Sequence, residues 1–247
     1  MAVLIVLCLP MYLFAKDYAD LNETTRAKAA AGDVVAQYDL GRMYYNGLGI
    51  ARDYREAVKW YERAAAQGHT DAQYYLAVAY FKGEGVPRKV AETAKWYTKA
   101  AEKGHPEAQF YLGVLYMEGQ GVARDPLQAA NWYARAAEQG LPGAQYNLGV
   151  MYFNGEGVAK NHQEAFRWLS KAAEQGLAGA QYSLGFMYAK GYGVTPDHVQ
   201  AYRWSDLAAS QGIMKARELR DALAGEMTPE QIAEAKRLSG VSESGDN

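Results

Sequence analysis

The sequence repeats itself with a period of 36 residues, and this period constrains the fold more than any other feature. One position of the period holds alanine in five copies: Ala36, Ala72, Ala108, Ala144 and Ala180. Another position holds all five tryptophans of the chain: Trp60, Trp96, Trp132, Trp168 and Trp204. Self-similarity at a fixed spacing is typical of repeat proteins, in which each unit stacks on its neighbours. The period therefore predicts one elongated array of repeats.

Each repeat is predicted to contain two helices joined by a glycine turn. In the first helix, apolar residues at i, i+4, i+7 and i+8 define one buried face: Ala36, Leu40, Met43 and Tyr44. The second helix places Ala57, Tyr61 and Ala64 on one face. Every repeat is therefore expected to bury one side of each helix against its neighbours.

Glycine occupies two kinds of position in the repeat. A Gly-x-Gly turn ends each first helix, because glycine adopts the left-handed conformation that such an ending needs. No strand or GK[ST] sequence accompanies it, which argues against a phosphate-binding loop. Glycine also recurs inside the first helix, at Gly41, Gly113, Gly149 and Gly185. A glycine within a helix costs about 1 kcal/mol relative to alanine, so we expect close approach of a neighbouring helix as compensation.

The second helix is predicted to begin at a capping residue. One slot holds Asp53, Asp125, Asn161 and Asp197, and the position three residues later holds Glu56, Gln128, Glu164 and Gln200. This spacing predicts a capping box, in which each side chain bonds the backbone N–H of the other residue. The second repeat has Lys89 in the capping slot, so its second helix is expected to start less firmly.

The predicted architecture is an all-α, α/α superhelical solenoid of five helix-turn-helix repeats. We assign residues 16–35 to a leading half-repeat, 36–215 to the five repeats, and 216–238 to C-terminal capping helices. Thr228 begins the last of these helices, and the polar segment 239–247 is expected to be disordered.

Residues 1–15 form an uncharged apolar segment that resembles the hydrophobic region of a signal peptide. We expect a periplasmic or secreted protein, with a cytoplasmic one as the alternative if the segment is not a signal. Cys8 follows Leu7 rather than the small residue of a lipoprotein cleavage site. The sequence after Cys8 holds no further cysteine, so a mature form would carry no disulfide.

Charge and hydropathy exclude two classes of partner. The chain has 26 Lys and Arg against 28 Asp and Glu, for a net charge of −2. This balance argues against nucleic-acid binding, which needs a basic surface. No run of 18 apolar residues predicts a membrane span in the mature form.

No catalytic, metal-binding or cofactor-binding set is evident, so we predict a protein that is not an enzyme and needs no cofactor. The four histidines lie near predicted helix starts, where capping or solvent exposure explains them: His69, His105, His162 and His198. The sequence has no HExxH motif and no nucleophile elbow.

The recurring phrase Ala-Gln-Tyr-x-Leu-Gly-x-Met-Tyr, followed by Gly-x-Gly-Val and Ala-x-x-Trp-Tyr-x-x-Ala-Ala, resembles the Sel1-like repeat family, a branch of the tetratricopeptide-type solenoids. The resemblance covers about residues 27–212. It implies antiparallel helix pairs in a right-handed superhelix, with the first helices on the concave side. It also implies a scaffold or adaptor function in the assembly of envelope, secretion, signalling or degradation complexes. A cysteine-rich secreted branch with reported β-lactam binding is not matched, because the repeats of this chain lack cysteine.

By analogy with tetratricopeptide repeats, the first helices are expected to bind a protein or peptide in a concave groove. The predicted contact residues are Tyr38, Arg42, Tyr45, Asn46, Tyr74, Val78, Phe81, Lys82, Val114, Met117, Glu118, Val150, Phe153, Asn154, Phe186 and Lys190. Tyrosine and phenylalanine offer rigid contact area at low entropic cost.

Two alternatives remain open at this point. The first aromatic residue of each set, such as Tyr38 or Tyr74, is favoured as a core residue because it recurs so regularly. The second alternative is that the same groove serves a carbohydrate-binding, cell-wall-acting or β-lactam-acting envelope protein. We expect a mostly monomeric protein in a bacterial envelope or secretion context, with a homo-oligomer as the alternative.

Overall fold

The computed structural model describes residues 22–240, and every regular element in that range is an α-helix. The chain divides into two compact units, Met1–Ala123 and Arg124–Asn247. Residues 22–30 of the first unit form helix α1. The other helices of this unit are α2 Val34–Asn46, α3 Tyr54–Ala66, α4 Thr70–Lys82, α5 Val90–Glu102 and α6 Pro106–Glu118. Consecutive helices from α2 to α6 pack against one another.

The second unit continues the same pattern. Its helices are α7 Pro126–Glu138, α8 Pro142–Asn154, α9 His162–Glu174, α10 Ala178–Lys190, α11 His198–Ser210, α12 Met214–Ala224 and α13 Pro229–Ser239. The predicted all-α solenoid of five helix-turn-helix repeats is confirmed. The segment 1–15 lies outside the described residues, as does 241–247. Ser239, which we assigned to the tail, is instead the last residue of α13.

The predicted buried faces are confirmed in the first repeat. Ala36 and Leu40 of α2 are buried in a cluster that Met43 and Tyr44 border. Ala57, Tyr61 and Ala64 of α3 have no exposed surface. Each helix therefore contributes an apolar face to the core, as the spacing indicated.

The recurring tryptophan lies on the second helix, and in every repeat a Lys or Arg side chain packs over its ring. The distances from the cationic atom to the nearer ring centroid are 4.3 Å for Arg63–Trp60, 4.3 Å for Lys99–Trp96, 4.5 Å for Arg135–Trp132, 4.3 Å for Arg167–Trp168 and 4.5 Å for Arg203–Trp204. Cation–π attraction of this kind is worth about 0.5–1 kcal/mol at exposed sites. Trp204 also belongs to a core cluster, and Trp60 and Trp96 pack against two others, so contacts within the protein account for the tryptophan slot.

The two glycines of each turn have different roles. Gly155 ends α8 in the left-handed conformation, and its N–H donates to the carbonyl of Met151. Gly157 also has positive φ, but a Cβ atom there would lie 2.2 Å from the carbonyl oxygen of Pro126. The second glycine therefore allows the turn to contact the start of the preceding repeat's second helix.

The glycine inside the first helix meets the second helix of its own repeat, as predicted. A Cβ atom at Gly149 would lie 2.7 Å from Cγ of Leu169, and one at Gly41 would lie 2.6 Å from the Tyr61 ring. The close approach compensates for the low helix propensity of glycine.

The predicted capping boxes form only in part. The Asp53 and Asn161 side chains accept hydrogen bonds from backbone N–H groups of the next turn, as predicted. The reciprocal bond was predicted wrongly, because the N–H of Asn161 donates instead to the carbonyl of Tyr152 at 2.9 Å. Glu164 is then free to pair with Arg167. A complete capping box occurs at Thr228, where α13 begins.

Lys89 makes no side-chain capping bond, yet α5 begins at the equivalent residue, Val90. The backbone N–H of Lys89 donates to the carbonyl of Tyr80, the same bond that positions the other second helices. Lysine in the capping slot therefore removes a hydrogen bond from the start of α5, but the helix still begins at the same position of the repeat.

A buried glutamine in each first helix ties successive repeats together. Nε2 of Gln145 donates to the carbonyl of Ala137, and Oε1 of Gln145 accepts a 2.8 Å bond from Nε2 of Gln175. Gln175 also donates to the carbonyl of Gly140. Buried polar groups need partners of this kind, so the glutamine recurs for structural reasons.

Candidate functional site

The first helices expose one stripe of residues spaced i, i+4, i+7 and i+11. We call this the exposed stripe, and in α2 it consists of Val35, Asp39, Arg42 and Asn46. In the first unit it continues with Asp71, Tyr75, Val78 and Lys82 of α4 and with Glu107, Tyr111, Val114 and Glu118 of α6. In the second unit it consists of Gly143, Asn147, Val150 and Asn154 of α8 and of Gly179, Ser183, Phe186 and Lys190 of α10. Each of these residues is exposed or half-buried.

The predicted contact residues divide into two groups. Ten of them lie on the exposed stripe: Arg42, Asn46, Val78, Lys82, Val114, Glu118, Val150, Asn154, Phe186 and Lys190. Six lie beside it: Tyr38, Tyr45, Tyr74, Phe81, Met117 and Phe153. The second group needs separate treatment, because several of its side chains already have partners within the protein.

Tyr38 and Tyr74 pack against the histidines that cap the first helix of the following repeat. Tyr38 is only 9% exposed, and its ring stacks on His69 with centroids 4.4 Å apart. Tyr74 stacks on His105 at the same distance. The Tyr38 side chain therefore belongs to the core, the alternative that its regular recurrence favoured.

His69 and His105 are capping residues, as their positions suggested. Nδ1 of His105 accepts a hydrogen bond from the N–H of Ala108 at 3.3 Å, which requires a neutral ring. Burial lowers the pKa of His105, although Asp71 and Glu107 oppose that shift. The neutral form that the cap needs is therefore favoured.

The slot that contains Tyr45 and Phe81 is partly satisfied within the protein. The Tyr45 hydroxyl donates to Oε2 of Glu84 at 2.7 Å, and burial raises its pKa above the usual range. Phe81 remains 40% exposed, with the Arg88 guanidinium 5.6 Å from its ring centroid. Phe153 stacks on His162, whose centroid is 5.0 Å away. Phe81 thus presents the most accessible apolar surface of the three.

Tyr75 and Tyr111 also lie on the exposed stripe, although they were not among the predicted contact residues. Tyr75 stacks on Tyr61 with centroids 5.6 Å apart, and Tyr111 stacks on Tyr97 at 5.5 Å. Tyr111 is nevertheless 40% exposed. These residues directly follow the recurring Ala-Gln-aromatic phrase. The residue type at this position changes from one repeat to the next, and that change was the sequence signal that the position lies on the stripe.

An apolar cavity of about 180 Å³ lies between α8, α9 and α10 of the second unit. Its lining residues are Val150, Phe153, Leu169, Tyr182, Ser183, Phe186 and Met187. Leu169 and Met187 are almost fully buried and form its base, whereas the other lining residues are half-buried. The cavity therefore opens onto the exposed stripe.

Within residues 22–240 no group of three or more His, Cys, Asp or Glu side chains is placed to hold a metal ion. None of the helices in that range has the length and apolar character that crossing a membrane requires.

Comparison with known proteins places the chain in a family. No curated protein matches the sequence significantly. A Sel1 repeat protein from Oxalobacter formigenes has a similar structure, with 31% identity and a TM-score of 0.76 over 92% of this chain and 98% of that one. A protective antigen of uropathogenic Escherichia coli strains, c5321, shows 33% identity and a TM-score of 0.61 over 90% of this chain. The chain spans 56% of the length of that antigen.

The model of the Sel1 repeat matches five consecutive segments, at residues 34–69, 70–105, 106–141, 142–177 and 178–213. These bounds begin two residues before the alanine that marks each period. The chain belongs to the Sel1 repeat family.

Proposed function

We propose that this protein is a non-catalytic scaffold that binds a protein or peptide on the exposed stripe of its first helices. The observation that carries the proposal is the exposed aromatic surface of Phe81 and Tyr111 at and beside the stripe. Sel1 repeat solenoids commonly mediate protein–protein interaction, which supports the same conclusion.

The distribution of sequence variation supports a binding role for the stripe. Buried positions such as Ala72, Leu76 and Gln73 repeat almost unchanged, because stacking determines them. Stripe positions change from acidic to aromatic to small between repeats, as Asp39, Tyr111 and Ser183 do in one slot. Packing accounts for the tyrosines of this slot in part, since Tyr111 stacks on Tyr97, and a partner that contacts each repeat differently would account for the rest of the variation.

Site-specific photo-crosslinking tests the proposal. A photoreactive phenylalanine analogue is introduced in place of Phe81 or Tyr111, and in place of Leu127 as the control. Leu127 is an exposed apolar residue as well, with 56% of its surface accessible, but it lies on the second helix α7. We expect one protein to be captured from the stripe positions and not from Leu127.

A competition variant completes this experiment. The double variant Phe81→Ala, Tyr111→Ala, made without the photoreactive residue, should capture the same protein about tenfold less, or weaker still, than the original chain does. The reason is that aromatic residues dominate binding energy. Leu127→Ala should leave capture unchanged. Equal capture by all variants would contradict the proposal, and turnover of a cell-wall or β-lactam substrate would contradict the non-catalytic assignment.

We also propose that the protein is exported and mostly monomeric, in a bacterial envelope or secretion context. The apolar segment 1–15 supports export. Charged residues of α12, including Arg217 and Glu218, support a soluble end to the array. N-terminal sequencing of the mature protein tests export, and an uncleaved form retained in the cytoplasm would refute it. Analytical ultracentrifugation measures the oligomeric state.

A further inference from the structure

We propose that the apolar cavity of the second unit receives an aromatic side chain from the partner, in a segment that also carries a carboxylate. This inference rests on the proposed function and names the chemistry of the partner at one position. The cavity is the one between α8, α9 and α10, with Leu169 and Met187 at its base.

The first unit indicates what fits in this place. Leu169 and Ser183 occupy the slots that hold Tyr61 and Tyr75 in the first and second repeats. Those two tyrosine rings stack with centroids 5.6 Å apart and an interplanar angle of 18°. Leucine and serine lack these rings, and although Phe186 and Met187 are larger than Val78 and Ala79 in the same slots, a cavity of about 180 Å³ remains.

Phe153, which lines the cavity, strengthens the comparison. It occupies the slot of Tyr45, whose ring lies 6.4 Å from both Tyr61 and Tyr75. In the first unit this position therefore borders two further aromatic rings. An aromatic side chain entering the cavity would be placed against Phe153 in a similar way.

The size of the cavity also suits an aromatic ring. An apolar cavity of about 150 Å³ is known to bind benzene, and the present one measures about 180 Å³. Its base is formed by aliphatic and thioether carbon, and phenylalanine rings form part of its wall. A buried ring is favourable in such surroundings, whereas a charged side chain would lose its hydration without compensation.

Charge complementarity indicates the second feature of the partner. Lys190 is the only charged residue of α8 and α10, and it lies one helical turn after Phe186 of the cavity wall. Lys190 is exposed and has no ion pair within residues 22–240. A carboxylate next to the bound aromatic residue would therefore meet the one positive charge that α8 and α10 provide.

Selection from a random peptide display library on the full chain tests the inference. The decisive variant is Ser183→Tyr, which places a ring at the half-exposed edge of the cavity. The matched control is Leu127→Tyr, which introduces the same side chain at an exposed position of α7 that belongs neither to the exposed stripe nor to the cavity lining. Circular dichroism and thermal unfolding check that each variant folds.

We expect the selected peptides to share a tyrosine, phenylalanine or tryptophan with an aspartate or glutamate nearby. Ser183→Tyr should weaken their binding about tenfold or more, and Leu127→Tyr should leave it within about twofold. Lys190→Glu does not alter the core, and it should remove the preference for acidic residues. This variant keeps the inference testable even if Ser183→Tyr fails to fold.

The contrary outcomes separate the two proposals. If peptides are selected but bind Ser183→Tyr as tightly as the original chain, the cavity inference is wrong and the scaffold proposal stands. If no peptide is selected, the inference is wrong, and a shift of the Met187 methyl resonance by p-cresol would then identify a small aromatic compound as the occupant of the cavity. The scaffold proposal is refuted separately, by equal capture by the Phe81 and Tyr111 variants and the original chain. A dimer that Ser183→Tyr dissociates would identify a second copy as the occupant and overturn the inference.

Discussion

Lys103 interrupts the glutamine contacts between repeats, and restoring glutamine there should stabilise the first unit. In the first repeat Nε2 of Gln67 donates to Oε1 of Gln37 at 2.8 Å. Lys103 occupies the slot of Gln67, and its ammonium donates instead to the carbonyl of Gly68. Oε1 of the buried Gln73 is consequently left without a partner among the described residues.

The expected gain follows from this unsatisfied oxygen. A buried acceptor without a partner costs about 1–3 kcal/mol, and a typical hydrogen bond contributes about 0.5–1.5 kcal/mol net. In Lys103→Gln the amide should bond both Gln73 and Gly68, as Gln67 bonds Gln37 and Gly32. Because the bond of the lysine to Gly68 is replaced, we expect a net stabilisation of about 1 kcal/mol.

Native-state hydrogen exchange is the suitable measurement, because a repeat array need not unfold in one step. About 1 kcal/mol corresponds to roughly fivefold slower exchange of the protected amides in α4 and α5. The matched control is Gln175→Lys in the second unit, which removes the bond to Gln145 and should accelerate exchange in α8 and α9. Unchanged or faster exchange in Lys103→Gln would refute the reasoning.

Three further predictions concern single residues. Gly157→Ala should destabilise the second unit by about 2–4 kcal/mol in thermal unfolding, because the methyl group meets the carbonyl of Pro126. Gly140→Ala, where φ is also positive but no atom lies within 4 Å, should cost only about 1 kcal/mol, and equal losses would contradict the argument. Lys89→Asp should stabilise α5 by about 1 kcal/mol by adding the missing capping bond, and an unchanged exchange rate at its first turn would contradict this. Burial lowers the pKa of His105 in the folded chain. The first unit should therefore become less stable as pH falls below 6.5, because the unfolded chain binds a proton at His105 that the folded chain binds only at lower pH. His105→Asn should reduce this pH dependence in urea titrations at several pH values, and an unaltered slope would exclude His105 as its source.

The period predicted most of the fold, because stacking determines most of what repeats. Alanine at position 72, leucine at 76 and the turn glycines each have a packing or backbone role that can be inferred from spacing alone. The reciprocal capping bond was predicted wrongly because sequence cannot show a competing acceptor. The carbonyl of Tyr152 reaches the N–H of Asn161 only after the two helices of the repeat have packed.

The candidate site was less predictable, because it depends on side chains that meet across repeats. Helical spacing identified ten stripe residues, but it did not show that Tyr38 stacks on His69. The cavity beside Phe186 could not be predicted either, since it results from the combination of Leu169 on α9 with Ser183 on α10. Neither residue is unusual when considered singly.

The contacts made by the recurring glutamines also set a rule for changes in chain length. Gln67, Gln175 and Gln211 each reach a glycine carbonyl that lies 35 positions earlier in sequence. Excision of residues 70–105 as one block would keep this separation for every remaining pair, whereas loss of a few residues inside a repeat would break it. Gene duplication or deletion can therefore lengthen or shorten such a protein in whole periods, and partial periods would be eliminated by misfolding.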